Sequence, residues 1–268
     1  MLLEGIVKLD LIYDLKFFSL THEGSLAAAR HILPLLWAKR QFRSVIDVGC
    51  GLGGWLLAAG ELGAARLKGI DGSHIPTEML VVSPECFIRA DLAQPLAKDD
   101  KFDLCLCLEA AEHLPPERGP SLVEDLTELS SIIVFSAAIP FQGGNGHFNE
   151  IWPEYWAKLF SNRGYLPWTG LRDSIWNERT VPWWYRQNLL IFVQASEWDN
   201  FLPGQEPANP NLLTAIHPES YLWGVRREKG RLVTSFEFDL DTYYSCASGE
   251  KMPPTAYGPE FSPTGSET

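Results

Sequence analysis

The sequence is short of basic charge. Its 268 residues carry 22 Lys and Arg against 34 Asp and Glu, a formal net charge of -12. Binding to DNA, RNA or an anionic membrane draws on cations that neutralise phosphate, so these partners are disfavoured. Basic residues cluster no further than pairs such as Lys39-Arg40 and Arg226-Arg227. Long apolar runs are also missing: none approaches the ~18 residues that span a bilayer. The first twenty residues include Glu4, Asp10 and Asp14 and lack the charge order of a secretory leader. Five cysteines are too few and too apolar in setting for a disulfide framework. A reduced, cytoplasmic protein is expected. No internal repeat is visible.

What remains is an ordinary globular composition, 46% hydrophobic, enough for one sizeable core. Residues 21–40 place Leu26, Ala29, Ile32, Leu35 and Leu36 at helical spacing, with Pro34 as a kink. After them, short β-branched runs alternate with helical stretches. Strands are expected at Ser44–Val48, Leu67–Ile70, Cys86–Arg89, Phe102–Leu108 and Ser131–Phe135, with a late one at Leu189–Gln194. Helices are expected from Trp55, at Leu122–Leu129 and at Trp152–Phe160. This alternation predicts an α/β fold, a Rossmann-like doubly wound, mostly parallel sheet of about seven strands with helices on both faces. Expected boundaries are a helical lead-in over 1–43, a catalytic domain over 44–198, an extension over 199–247 and a mobile tail over 248–268.

Strand one runs straight into Gly49-Cys50-Gly51-Leu52-Gly53-Gly54. Such a turn lets a ligand lie against bare backbone. Gly49, Gly51 and Gly54 also satisfy the dinucleotide spacing, so a nicotinamide enzyme is a rival reading. Asp47 speaks against it: a carboxylate there repels a pyrophosphate and suits a ligand with an amino group and a sulfonium. Asp71, ending strand two, can accept from both ribose hydroxyls or simply cap a following helix near Ser73. Asp91 and Leu92, after strand three, suit an adenine.

The segments Asp47–Gly54, Ile70–Gly72, Ala90–Leu92 and Phe102–Leu114 together resemble the class I S-adenosylmethionine-dependent methyltransferases. The resemblance implies S-adenosylmethionine as cofactor, contacted by Asp47, Gly49, Gly51, Gly53, Asp71, Asp91 and Leu92, with Glu109 at its edge. A further segment, His147-Phe148-Asn149-Glu150-Ile151-Trp152-Pro153-Glu154-Tyr155-Trp156, resembles a bacterial methyltransferase group with the pattern H-x-N-E-x-W-P-x-Y-W.

Glu109, Glu112 and His113 follow strand four, where an open α/β sheet keeps its site. The catalytic candidates are His147, as the base for an acceptor hydroxyl, with Glu150 or Asn149 setting its tautomer, and His113 and Glu109. The competing reading makes Asn149 and Glu150 caps of the helix that follows. His147, Glu150 and His113 lack compact ligand spacing, so no metal is expected. Arg186 is read either as an anion clamp or as a partner of a surface acid. Six tryptophans between Trp152 and Trp184 suit a sugar platform or a lid and core. The expected reaction is O-methylation of a sugar or related small metabolite. The alternatives are a nicotinamide oxidoreductase and a non-catalytic binder of the same cofactor.

Overall fold

The structure, a computed structural model, describes residues 15–97 and 100–221. The expected tail, most of the expected extension, Cys246 and the first fourteen residues lie outside the described residues. Helix α1 (Leu15–Trp37) leads into β1 (Ser44–Val48), α2 (Gly54–Glu61), β2 (Arg66–Asp71), β3 (Phe87–Arg89) and β4 (Leu104–Leu108). Then come α3 (Gly119–Leu129), β5 (Ile132–Ser136), α4 (Pro153–Ser161), β6 (Tyr165–Trp168), α5 (Gly170–Ile175), α6 (Trp183–Asn188), β7 (Leu190–Gln194) and α7 (Trp198–Phe201).

The seven strands form one sheet in the order β3-β2-β1-β4-β5-β7-β6. Pairs among β1 to β5 are parallel, and β7 runs antiparallel to both β5 and β6. The doubly wound sheet expected from the alternation is therefore present, with the late antiparallel pair completing it. Strand β6 was not foreseen because Pro167 sits inside it. A proline cannot donate to a ladder, and β6 tolerates one as the last strand of the sheet.

Side-chain alternation along each strand builds two cores. Val45, Leu104, Leu106, Ile132, Val134, Ile191 and Val193 face α1, α2, α5, α6 and α7. Ile46, Val48, Cys105, Cys107, Ile133, Phe135, Leu190 and Phe192 face α3 and α4. Strands buried on both faces read as unbroken apolar runs, which is why LCLCL and IIVFS carry no polar position until the last serine. Cys105 and Cys107 share one face, as their spacing requires, and are packing residues.

Strand order reverses between β1 and β4. At such a switch point the loops leaving neighbouring strands diverge and open a crevice at the strands' carboxyl ends. Asp47 and Glu109 sit at that edge.

Phe192 is fully buried, its ring stacked on Phe160 at 3.9 Å and 13° and edge-on to Phe135 at 6.2 Å. Phe192→Ala is expected to lower unfolding free energy by about 3–5 kcal/mol in denaturant titration; a loss below ~1 kcal/mol would contradict this packing.

Candidate active site

The turn after β1 depends on backbone that only glycine enters freely. Gly49 and Gly51 have φ of +85° and +53°. A Cβ on Gly49 would stand 2.5 Å from the Cβ of Ala110, so the chain passes there only without a side chain. A Cβ on Gly51 would meet nothing within 4 Å, because it would project into open space. The turn is anchored to strand two: Gly49 N and Cys50 N donate to Ile70 O at 2.8 and 3.3 Å. Asp71 accepts from Gly51 N at 2.7 Å and from Gly72 N at 2.6 Å. No helix begins within reach of Asp71, so the capping alternative is set aside.

A cavity of about 600 Å³ opens over this turn. Asp47, Gly49, Gly51, Asp71, Asp91, Leu92, Glu109 and His113, all foreseen from sequence, line it. Gly53 is not part of its wall. It stands at the N-cap of α2 with φ +87°, packed on Val82, and its task is the turn into the helix. His147 and Glu150 are not part of the wall either. Trp55 and Tyr185 are, and sequence reasoning missed them because Tyr185 arrives from α6, remote in the chain. Its hydroxyl bonds Ser25 Oγ at 3.1 Å and Trp55 Nε1 at 3.5 Å.

Asp47 is 1% exposed, and its Oδ2 has no hydrogen-bond partner. Burial, followed by the nearby Asp71 charge, pushes its pKa up to about 8. A buried carboxyl with an unused oxygen facing a cavity calls for a cationic or donor group from a ligand. Asp71 is also raised by burial, opposed by His74 and the two amides. Asp91 lies exposed on the rim, its Oδ1 accepting from Ala93 N at 3.0 Å. Arg118 fixes this loop by donating from Nε to Leu92 O at 2.9 Å while pairing with Asp125.

Past β4 the backbone is strained: Glu109 has φ +52°, rare for a residue with a side chain. Its N–H donates to Ser136 O at 3.0 Å and lies 3.1 Å from Ser136 Oγ. Asn188 Nδ2 donates to Glu109 Oε1 at 3.1 Å, and Gln142 Nε2 to Oε2 at 3.4 Å. Burial raises the Glu109 pKa in spite of these donors. Glu112 is fully buried with neither carboxylate oxygen partnered, and burial and Glu109 push its pKa well up.

The loop after β5 folds back onto this turn. Phe148 N and Asn149 N donate to Glu112 O, Asn149 Nδ2 to Ala111 O, and His113 Nδ1 to Gly146 O at 3.2 Å. The rings of His113 and His147 meet edge-on at 4.8 Å. Glu150 Oε1 accepts from Gly143 N at 2.6 Å and from His147 Nδ1 at 3.2 Å. Asn149 and Glu150 therefore organise the site, and α4 begins after Trp152 with no side-chain cap. Burial, then the His147 ring, lowers His113 to about 4, so its imidazole is neutral at physiological pH.

Residues 20–133 match the methyltransferase domain model. The chain carries a methyltransferase domain. The match begins inside the expected lead-in and ends in β5, covering the glycine turn, Asp71, Asp91 and Glu109. Together with the doubly wound sheet, the match supports reading the chain as an S-adenosylmethionine-dependent methyltransferase. No curated protein matches the chain. Solved structures resemble it more distantly. A magnesium protoporphyrin IX methyltransferase from Synechocystis PCC 6803 with bound SAM is 20% identical, over 71% of this chain and 91% of that one, at a TM-score of 0.48. The sugar N-methyltransferase KedS8 from Streptoalloteichus sp ATCC 53650 is 15% identical over 63% and 87%, at 0.47. A SAM-dependent methyltransferase from Archaeoglobus fulgidus is 23% identical over 57% and 75%, at 0.45.

The methyltransferase's cavity fits its cofactor on its own terms. The bare Gly49–Gly51 backbone, the unused Asp47 oxygen and the acids at the ends of β1, β2 and β3 suit an ammonium, a ribose and an adenine in turn. Arg186 takes no part in this cavity. It is buried, donating to Trp176 O at 3.3 Å and to Glu219 Oε1 at 2.6 Å, which settles the earlier alternative for a structural pair. Of the tryptophans, Trp156 and Trp168 are core while Trp152 is 42% exposed.

The raised Asp47 pKa has a measurable consequence. Its ordinary value is 3.8 and its folded value about 8, so the stability it allows is complete below 3.8 and lost as pH rises to about 8. Ligand-free Asp47→Asn is expected to melt above wild type at about pH 9, with the gap closing toward about pH 4. Equal melting temperatures across the range would contradict the buried, unpartnered carboxyl.

Proposed function

We propose that this methyltransferase O-methylates a hydroxylated small molecule, a sugar or a related metabolite, bound beside Glu109 and His113. The observation that carries the reading is the position of these two side chains on the wall of the cofactor cavity, at the end away from the Asp71 and Asp91 acids in the fold's strand order. When bound, S-adenosylmethionine supplies an electrophilic methyl on a sulfonium. The chain's residues have three tasks: orient both partners, exclude water and receive the acceptor's proton.

Asp47 neutralises an ammonium, and Asp71, braced by two amides, accepts from ribose hydroxyls. Glu109 takes the acceptor proton. Burial makes its carboxylate a stronger base than a free one, and Asn188 and Gln142 hold it in position. His113 and His147, with Glu150 behind them, shape the acceptor side. Phe141, Phe148 and Trp152 are exposed on the loop that delivers His147, where aromatic faces suit a sugar ring. The net charge of -12 supports a small acceptor over a nucleic acid. Among the described residues no helix is long and apolar enough to cross a membrane. The free, buried thiols of Cys50, Cys105 and Cys107 support a reducing cytoplasmic setting. We take 44–198 as the catalytic unit and 1–43 and 199–247 as additions to it.

Release of S-adenosylhomocysteine during incubation with a panel of sugars and other hydroxylated metabolites tests this reading. Turnover with such an acceptor is expected, with Glu109→Gln lowering kcat by about 10²–10⁴-fold while cofactor affinity changes little. Turnover only with amine acceptors, or an undiminished kcat in the variant, would overturn it.

A further inference from the structure

We propose that Glu112, His113 and His147 form a binding site for one divalent transition-metal ion beside the His113 wall of the cavity. One donor atom from each residue lies within 4.8 Å of the others. The set differs from the triad weighed on sequence grounds: Glu112 takes the place given there to Glu150. Spacing along the chain could not show this, because His147 reaches the cluster only when the loop after β5 folds onto the turn after β4.

Three observations point to a cation. Glu112 is fully buried, yet both its oxygens lack a hydrogen-bond partner. Burial favours the protonated form of such a group, and a bound metal ion is one of the few partners that would stabilise its carboxylate instead. The His147 Nε2 atom lies 4.0 Å from Glu112 Oε1.

The second observation is the tautomer of the two imidazoles. His113 Nδ1 faces the carbonyl of Gly146 and His147 Nδ1 faces the carboxylate of Glu150, both pure acceptors. Each Nδ1 is therefore the ring donor, an arrangement that in the neutral imidazole leaves the Nε2 lone pair for a metal. The Glu150–His147 contact is the outer carboxylate–histidine arrangement that orients a metal ligand. Gly143 N holds Glu150 at 2.6 Å, so the chain invests a second layer in fixing the ring.

The third is Gly144. A Cβ there would come within 2.3 Å of His147 Nε2, so glycine is what leaves the imidazole its position. Two imidazoles and one carboxylate suit Zn²⁺, Co²⁺ or Fe²⁺ with an open coordination position, and disfavour Mg²⁺ and Ca²⁺, which prefer oxygen. Of the three, His113 also lines the cofactor cavity. A metal ion there would acidify an acceptor hydroxyl and help Glu109 receive its proton; this role, unlike the site, rests on the proposed O-methylation.

The test uses the metal-stripped full chain and Co²⁺ as probe, followed by visible absorption, calorimetry and melting temperature. One equivalent is expected to bind, giving ligand-field bands and a raised melting temperature. Glu112→Gln is expected to abolish the bands without lowering the melting temperature of the stripped protein. Glu150→Gln, at a partly exposed position, is expected to weaken Co²⁺ by about 10–100-fold, and serves if Glu112→Gln does not fold. Absence of saturable binding, or equal binding by both variants and wild type, would overturn the site. S-adenosylhomocysteine affinity measured on the same stripped samples reports the cofactor cavity separately, so a failed metal site is not mistaken for a failed methyltransferase reading.

Discussion

The carboxylate of Asp71 ties the site together. By accepting from Gly51 N in the turn after β1 and from Gly72 N beyond its own strand, it fixes two loops that leave adjacent parallel strands. Charge-assisted bonds of this kind are about twice as strong as neutral ones. They hold a glycine backbone that has no side chains with which to pack. The cost is a buried negative charge, and that charge in turn helps keep neighbouring Asp47 protonated. A cofactor with a positive end and hydroxyl groups would suit both acids, Asp47 with its unpartnered oxygen above all.

The turn after β4 follows a similar logic with different means. Glu109 is held in a left-handed conformation by Ser136 and gripped by amide side chains from the loop after β5 and from α6. Gln187 and Asn188 both bond Gln142, so these amides form one connected network. Glu112 and the two histidines lie just beyond it. Backbone strain at Glu109 and the unpartnered oxygens of buried Glu112 thus fall within four residues of each other after β4.

The cavity wall at the glycine turn was legible because its residues are local in the chain. Gly49, Gly51, Asp47 and Asp71 belong to single strand-turn segments, so their order in the chain carries their arrangement. Gly53 shows the limit: three alternating glycines look alike in sequence, and only packing on Val82 separates the third from the cavity wall. The cluster after β4 was legible in its members and not in its geometry. His113 and His147 were both singled out, but their contact, the burial of Glu112 and the arrival of Tyr185 and Asn188 depend on how distant loops close over the sheet. Strand β6 was hidden by Pro167, whose tolerance depends on lying at a sheet edge, a fact of the assembled sheet.

The most direct measurement is calorimetric titration of the purified chain with S-adenosylmethionine and S-adenosylhomocysteine, with NAD as control and Asp71→Ala alongside. The account predicts one site of micromolar affinity for the two sulfur ligands, none for NAD, and loss of binding in the variant. Binding of NAD instead, or cofactor binding indifferent to Asp71, would contradict it.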